Sequence, residues 1–234
     1  MTTTYRVEVA IFAIALAVFG LVALALVWSG DWAYVTLANS TGNTSATFVV
    51  PLERRDACGK AMVMDLARLR EMHRAWATYV IGVSDVAIGP ACSLFTSDER
   101  AHMADVRAVF RGAEYAGALA LFVLIFRVER ARRRGGALRL VRAGSLIAAG
   151  IVGAIGVAAA VAFDPLFLLF HEVFFPQGNF LFAPDSNLIR LYPEWYWQGI
   201  TAGVGLSFIA VALLVAGAGH IALRRPSNTY TRAA

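Results

Sequence analysis

Four stretches of the chain are almost entirely apolar and long enough to cross a bilayer. They lie approximately at residues 9–28, 113–128, 143–163 and 199–223. A helix rises about 1.5 Å per residue, so roughly 20 residues span a hydrocarbon core of about 30 Å. The second stretch is the shortest, and its helix is expected to extend backward through 107–111. The pattern predicts an all-α membrane protein with four transmembrane helices.

The overall composition agrees with this prediction. Hydrophobic residues make up 59% of the chain and charged residues only 16%, which is far from the composition of a soluble domain. The membrane segments contain almost no charge beyond Glu114 and His220, whereas a proton or ion path normally needs charged groups within the membrane. The sequence therefore argues against a pump or transporter.

Arginine residues are concentrated between the second and third apolar stretches and indicate the orientation. This region holds Arg127, Arg130, Arg132, Arg133, Arg134, Arg139 and Arg142 against one acid, Glu129. Loops rich in arginine stay in the cytoplasm, so this loop and both termini are predicted to be cytoplasmic. The basic net charge of +5 thus reflects topology, and we do not interpret it as nucleic-acid binding.

The predicted organisation follows from the spans and their orientation. It comprises the N-terminus and first span at 1–28, an extracytoplasmic cap at 29–112, the second span at 113–128, a cytoplasmic basic loop at 129–142, the third span at 143–163, a second extracytoplasmic loop at 164–198, the fourth span at 199–223 and a cytoplasmic tail at 224–234. The first span is interpreted as a retained anchor, because its apolar core exceeds the roughly 7 to 15 residues of a signal peptide.

The predicted cap has two recognisable parts. Residues 32–50 mix β-branched and aromatic residues around 39–43, which predicts a short hairpin. Residues 57–80 predict an amphipathic helix, in which His73 stands among charged residues and is expected to be solvated. Cys58 and Cys92 both fall in this outward-facing segment, so a disulfide and two unrelated buried thiols remain open alternatives.

A polar cluster precedes the second span. Thr96 and Glu99 have the spacing of a capping box, which predicts that a helix begins there and continues into the span. His102 and Asp105 then lie three residues apart on one helical face. A carboxylate at this distance can hold an imidazole in one tautomer, so that its other nitrogen acts as a base. An ordinary salt bridge between Asp105 and a neighbouring arginine is the alternative.

A second histidine lies among aromatic residues after the third span. Asp164 and Pro165 are expected to open a short helix, with the aspartate as its N-cap and proline in its first turn. Helical spacing then surrounds His171 with phenylalanines, and Pro176 and Gly178 stop the helix. Burial disfavours the protonated imidazole, so His171 could serve as a base or as a donor to a developing oxyanion.

Two histidines in one predicted outer layer favour chemistry over a purely structural role. The residues that follow, 185–197, predict another short helix leading into an aromatic belt at the level of the lipid headgroups. The aromatic residues have interface anchoring as their ordinary explanation, but their density also suits an acyl-chain pocket. No compact zinc-ligand motif is present, so we predict no metal and no cofactor.

Two motifs identify a family resemblance. The first is His102-Met103-x-Asp105-Val106, and the second is His171-x-x-Phe174-Phe175-Pro176-x-Gly178-Asn179-Phe180-x-Phe182 with Asp185-x-x-Leu188-Ile189-x-Leu191-Tyr192-Pro193-Glu194. Together with four spans and a large first outer loop, they resemble the lipoprotein intramolecular transacylases of bacteria along essentially the whole chain. Phe180 stands where this family pattern leads us to expect a larger indole.

The resemblance implies a membrane acyltransferase. It would move the sn-2 acyl chain of a diacylglyceryl lipoprotein onto the α-amine of that lipoprotein's N-terminal cysteine, giving a lyso-form lipoprotein. Diacylglyceryl lipoproteins and membrane lipids would be its partners, in a bacterial cytoplasmic membrane. A non-catalytic membrane protein that binds lipid or lipoprotein, and an esterase that releases the acyl chain to water, are the alternatives.

The expected site combines three groups of residues. The catalytic pair is His102 and His171, which share the acid and base roles without an assignment of which does which. The orienting or substrate-positioning residues are Asp105, Asn179, Asp185 and Tyr192. The aromatic acyl pocket comprises Phe170, Phe174, Phe175, Phe180 and Trp195.

Overall fold

Four long helices dominate the fold. The structure is a computed structural model that describes residues 3–50, 61–85 and 94–224. The long helices are α1 (Thr3–Trp28), α4 (Ser97–Arg133), α5 (Ala137–Val161) and α8 (Glu194–Arg224). All four are long and apolar enough to cross a membrane, which confirms the predicted four-span all-α class. Each of them begins at least five residues before the apolar stretch predicted from the sequence.

Helix α1 packs against the other three long helices through small residues. Ala13 of α1 and Ala148 of α5 are fully buried where their helices meet. The ring of Phe12 lies so close to Gly144 that a Cβ there would come within 2.3 Å of it. Small residues let helix backbones approach closely, which is how helices associate where lipid removes the usual hydrophobic driving force. Large apolar side chains face outward, as expected for lipid contact.

Charged residues gather at one end of the four-helix bundle. Glu8 of α1 pairs with Arg130 and Arg134 at the end of α4, at 3.4 and 3.5 Å. Glu129 pairs with Arg132 and Arg133 on the same helix. The start of α1 and the end of α4 therefore lie at the same end of the bundle, and the catalytic candidates lie at the other.

The other end carries a layer of short elements, called here the cap layer, built from the described parts of 29–112 and 164–198. Its first half contains α2 (Asp31–Thr41), β1 (Ser45–Val49), β2 (Ala61–Asp65) and α3 (Leu66–Val80). Strands β1 and β2 form an antiparallel pair in which Thr47 lies opposite Val63.

The predicted hairpin within 32–50 is wrong. Residues 31–41 form a helix that ends at Gly42 in the left-handed conformation, and β1 pairs with a strand that begins only at residue 61. The predicted amphipathic helix begins at Leu66 rather than near residue 57, because Asp65 caps it by accepting a hydrogen bond from the Arg68 N–H at 2.9 Å. Cys58 and Cys92 lie outside the described residues.

A buried aromatic core joins the two halves of the cap layer. Trp76, Tyr34, Phe48 and Phe95 are almost completely buried. The Asn187 amide reaches across to β1: its oxygen accepts from the Val49 N–H at 2.9 Å, and its nitrogen donates to the Val49 carbonyl at 2.7 Å. These bonds hold the residues where α7 (Asn187–Leu191) begins against β1.

The second half of the cap layer follows α5. It contains α6 (Phe163–Phe174) and α7 (Asn187–Leu191). The third predicted span ends at Val161, and Ala162, not Asp164, occupies the N-cap position of α6, so Asp164 lies within the first turn. The predicted capping box is confirmed, since Thr96 accepts from the Glu99 N–H and Glu99 accepts from the Thr96 N–H. Helix α4 accordingly begins inside the cap layer.

Candidate functional site

His102 and His171 meet in the cap layer although they come from different helices. Their imidazole centroids are 6.3 Å apart, and the ring planes differ by 21°. His102 lies near the start of α4 and is 6% exposed, whereas His171 lies near the end of α6 and is half-buried. The structure thus brings together the two histidines that the sequence singled out.

A hydrogen bond defines the tautomer of His171. Its Nδ1 lies 2.8 Å from the carbonyl oxygen of Phe167. A carbonyl can only accept, so Nδ1 carries the proton and the neutral ring keeps its lone pair on Nε2. Burial lowers the pKa of His171 below 6.5, with the Phe167 carbonyl acting in the opposite direction. At neutral pH, His171 therefore presents an unprotonated Nε2.

An amide and a carboxylate lie beside His102. Asp105 accepts hydrogen bonds from Asn179 Nδ2 at 2.5 Å and from Gln177 Nε2 at 2.9 Å, and neither bond involves His102. Asn179 is close enough to interact electrostatically with the His102 ring. Among the described residues, His102 Nδ1 and the Asn179 side-chain oxygen are both buried without a hydrogen-bond partner. Asp105 thus contacts Asn179 directly, and it acts on His102 through this amide and through the attraction of its charge.

Phenylalanines enclose the histidine pair. Phe175 is 2% exposed and lies 4.8 Å from His102 and 5.5 Å from His171, measured between ring centroids. Phe180 lies 5.2 Å from His171. Phe167, which helical spacing placed beside His171, lies 4.3 Å from it, and Phe182, which was not among the predicted pocket residues, lies 5.5 Å from His102. The reacting groups of any bound substrate would therefore meet an aromatic enclosure.

Two predicted pocket residues extend this enclosure outward. Phe170 lies 5.5 Å from His171 and 4.7 Å from Phe174. Their side chains are 47% and 48% exposed, and none of the residues of α6 is buried. Because α6 begins directly after a helix long enough to span the membrane, this exposed apolar face lies where lipid chains are available.

Three of the predicted site residues lie outside the histidine pocket. Asp185 is exposed at the surface of the cap layer. Tyr192 and Trp195 contact Tyr34, with centroids 6.5 and 5.9 Å away, in a second aromatic cluster. Trp197 links this cluster to the histidine pocket, because its ring lies 5.9 Å from Tyr192 and 5.8 Å from Phe167.

The second cluster is centred on His73, and the prediction that this histidine is solvated is wrong. His73 is 2% exposed and stacks on Tyr34 at 4.8 Å. Its Nε2 donates to the Ser29 carbonyl at 3.2 Å, so its Nδ1 accepts from the Tyr192 hydroxyl, also at 3.2 Å. Burial lowers the pKa of His73 to about 4.

A signal for the burial of His73 was present in the sequence. Leu69, His73, Trp76 and Val80 follow one another at helical spacing, and all four are buried on one face of α3. The neighbouring arginines lie on the other side of the helix. Within 3–50, 61–85 and 94–224, no group of three or more His, Cys, Asp or Glu side chains is placed to hold a metal ion.

Comparisons with known proteins agree with this geometry. The sequence model of the family described as lipoprotein intramolecular transacylase Lit matches residues 7–197. A search of the curated proteins gave no match. The fold is similar to a solved in meso structure of the membrane integral lipoprotein intramolecular transacylase Lit from Bacillus cereus, with a TM-score of 0.70 and 17% identity over 95% of this chain and 97% of that one.

Two further solved structures are of the same Bacillus cereus protein with one histidine replaced. In the arginine variant the TM-score is 0.66 at 18% identity, covering 94% of this chain and 92% of that one. In the alanine variant the TM-score is 0.67 at 17% identity, covering 94% of each chain. At this level of identity, the likeness establishes a shared fold.

Proposed function

The chain belongs to the lipoprotein intramolecular transacylase family Lit, and we propose that it moves the sn-2 acyl chain of a diacylglyceryl lipoprotein to the α-amine of that lipoprotein's N-terminal cysteine. The chain is thus a membrane-integral acyltransferase, and its lipoprotein substrate is converted to the lyso form. The observation that carries the finer proposal is the convergence of His102 and His171 inside an aromatic enclosure beside the membrane-spanning helices.

The reaction requires confinement. Direct attack closes a ring through the amine nitrogen, two cysteine carbons, sulfur, two glyceryl carbons, the ester oxygen and the acyl carbon, about eight atoms in all. Such a closure is entropically unfavourable unless a site restricts the substrate. Phe175 and Phe180 supply the inner walls around the two histidines. We assign Phe170 and Phe174, which are exposed on α6, to the acyl chains that extend toward the lipid.

His171 suits the role of general base. Its Nδ1 proton is held by the Phe167 carbonyl, which leaves Nε2 to accept a proton. In the proposed step, the amine nitrogen bonds to the acyl carbon while His171 Nε2 takes one of its protons. The carbonyl oxygen becomes an oxyanion in the tetrahedral intermediate.

His102 suits the complementary role of donor. No hydrogen bond from the described residues occupies its Nδ1, so the ring can turn an N–H toward the oxyanion or toward the departing glyceryl oxygen. Collapse of the intermediate breaks the bond between the acyl carbon and the glyceryl oxygen, which takes the proton that His171 Nε2 accepted from the amine. The proton from the amine is thereby returned, and the reaction is an isomerisation that consumes no water.

Asp105 and Asn179 position His102 in this scheme. The Asp105 carboxylate fixes the Asn179 amide through its nitrogen, which leaves the amide oxygen beside the imidazole. Contact with this amide holds the imidazole in place, so that its N–H can be directed to the substrate oxygen. Asp185, exposed in the cap layer, remains a candidate for contacts with the headgroup. Tyr192 and Trp195 support the enclosure from the second cluster through Trp197.

We also propose the membrane orientation that the arginine distribution predicts. The arginine-rich loop and both termini lie in the cytoplasm, and the histidine pocket faces outward from a bacterial cytoplasmic membrane. The ion pair between Glu8 and Arg130 supports a topology in which the start of α1 and the arginine-rich loop lie on the same side of the membrane. A reporter that is active only outside the cytoplasm should work when inserted at Gly42 and fail when fused after Gly135 or the C-terminus.

Tandem mass spectrometry of a synthetic diacylglyceryl lipopeptide tests the activity, because an isomerisation leaves the intact mass unchanged. Fragment ions that carry an acyl group on the cysteine amine are expected after incubation with the purified protein. Loss of one acyl mass would instead indicate an esterase. An unchanged fragmentation pattern with folded protein and bound lipopeptide would leave a lipid-binding protein.

A further inference from the structure

The segment that follows α6 crosses the start of α4 directly over His102. We call this segment, residues 175–188, the strap. Near its beginning, Gln177 and Asn179 donate to Asp105. At its middle, the Phe182 ring stands edge-on to His102, 5.5 Å away. Near its end, Ser186 and Leu188 donate to a second carboxylate on α4.

That second carboxylate belongs to Glu99, which is only 2% exposed. Its Oε1 accepts from the Ser186 hydroxyl at 2.5 Å and from the Leu188 N–H at 2.9 Å. Its Oε2 accepts from the Thr96 N–H at 2.7 Å. These three donors are neutral groups, so the carboxylate is held by directed hydrogen bonds and by the positive end of the α4 dipole.

A capping role alone does not require this arrangement. The capping box needs only the bond between Glu99 and the Thr96 N–H, which an exposed glutamate makes equally well. Burying a carboxylate is costly, and an apolar side chain of similar volume often serves stability as well or better. The two additional bonds to the strap therefore point to a purpose beyond the start of α4.

The position of Glu99 on the helix indicates that purpose. Glu99 and Asp105 lie three residues before and after His102, so the two carboxylates flank the histidine by about one turn on either side. Each holds one end of the strap, and the strap presses Phe182 and Asn179 toward the imidazole between them. We infer that Glu99 is a positioning residue for transacylation, which keeps the strap closed over His102. This inference rests on the proposed function.

The positioning role predicts a graded series of variants. Glu99→Ala removes all three bonds, and a displacement of about 1 Å at a reacting group can lower a rate about 100-fold, so we expect kcat to fall by roughly 10- to 100-fold with KM changed little. Glu99→Gln retains one oxygen and should lose less. Ser186→Ala removes one bond and should cost a few-fold at most.

A matched control is available one residue away. Asp98 lies in the same first turn of α4 and is exposed, so Asp98→Asn makes the same change of charge at the same helix end without touching the strap. Its kcat should stay within about twofold of the wild type, as is usual for surface substitutions away from a site. Phe48→Leu, in the buried core of the cap layer, serves as a control for lost stability.

The fate of the acyl chain separates positioning from simple stabilisation. A loosened strap admits water to the bound ester, where water competes with the amine for the acyl carbon, so Glu99→Ala should release a larger share of its turnover as free fatty acid than the wild type does. Phe48→Leu should lower the melting temperature yet keep the wild-type partition between N-acyl product and fatty acid. Rates are to be expressed per folded enzyme, from melting curves recorded in the same detergent.

Several outcomes would overturn the inference. A kcat of Glu99→Ala within twofold of wild type per folded enzyme would do so, as would a change in KM alone or an unchanged partition of the acyl chain. A wild-type enzyme that yields no N-acyl product would refute the proposed function itself. An active wild type together with Glu99 variants that keep its kcat and its partition of the acyl chain would refute only the role of Glu99.

Discussion

Asp105 and Asn179 are joined by a hydrogen bond of 2.5 Å that connects α4 to the segment following α6. The bond is charge-assisted, and such bonds are roughly twice as strong as neutral ones. It fixes an amide that lies beside His102 and whose oxygen has no hydrogen-bond partner among the described residues. The pair therefore links the motif around His102 with the motif around His171.

This link predicts energetic coupling in catalysis. Asp105→Ala and Asn179→Ala should each lower kcat, and the double variant should be little worse than either one, because each single change already disconnects His102. We expect a coupling of about 1 to 3 kcal/mol in a double-mutant cycle of kcat/KM. Gln177→Ala, which removes the other donor to Asp105, should have a smaller effect. Additive losses would argue against the relay through the amide.

The lowered pKa of His171 should determine how activity falls at acid pH. Burial lowers the pKa of His171, so the base stays unprotonated at pH values where an exposed histidine is already charged. Activity should therefore persist as pH falls to 6.5 and decline only below it, through the pKa of folded His171. The acid limb of kcat/KM against pH measures this, with a stable lipopeptide as substrate.

Removing either ring should abolish the transfer. His171→Gln and His102→Gln should each lower kcat by at least about 100-fold, the scale of general acid–base catalysis. Melting curves in detergent establish that each variant is folded. Full transacylation by either folded variant would show that the paired-histidine mechanism is wrong.

The sequence predicted the spans and the site motifs because each depends on local patterns. The four apolar stretches are continuous, and the capping box is a feature of residues 96–99 alone. The histidines were prominent because a titratable ring among aromatic residues is unusual. Their meeting in the cap layer was expected from the topology, since both lie next to the same ends of membrane spans.

The features that could not be predicted from the sequence depend on contacts between distant segments of the chain. Strand β1 pairs with β2, from which it is separated by 11 residues, and the local composition around residues 39–43 does not indicate this partner. The strap bonds of Glu99 come from Ser186 and Leu188, almost 90 residues later. Neighbouring arginines obscured the buried face of α3, although its spacing placed His73 with Trp76.

His73 should make the fold sensitive to acid. An unfolded histidine binds its proton near pH 6.5, whereas the pKa of folded His73 is about 4. Between these values the unfolded state binds more protons, so stability falls as pH falls from 6.5 to 4. The full loss from this group is about 3 kcal/mol, from the difference between the two pKa values. Melting temperatures across this range measure it.

His73→Phe provides the comparison. It should flatten the stability profile between pH 6.5 and 4, because the titrating group is gone. At neutral pH it should also destabilise the fold by about 1 to 3 kcal/mol, since the buried Tyr192 hydroxyl loses its acceptor. Adding Tyr192→Phe should restore part of that loss. An unchanged acid profile in His73→Phe would assign the sensitivity to other groups.

Gly178 should be important for the shape of the strap rather than for its packing. Its φ is +76°, and its N–H donates to the Phe175 carbonyl at 3.0 Å, which closes the turn directly before Asn179. A Cβ at this position would meet no atom within 4 Å, so Gly178→Ala acts only through the backbone. The left-handed conformation costs a residue with a Cβ about 1 to 2 kcal/mol. We therefore expect a modest fall in melting temperature and a larger fall in kcat, because the turn sets where Asn179 meets Asp105.

Gly150→Ala is the matched control, since its new Cβ would also meet open space but the φ of Gly150 is not positive. Equal effects of the two substitutions on kcat would contradict this role.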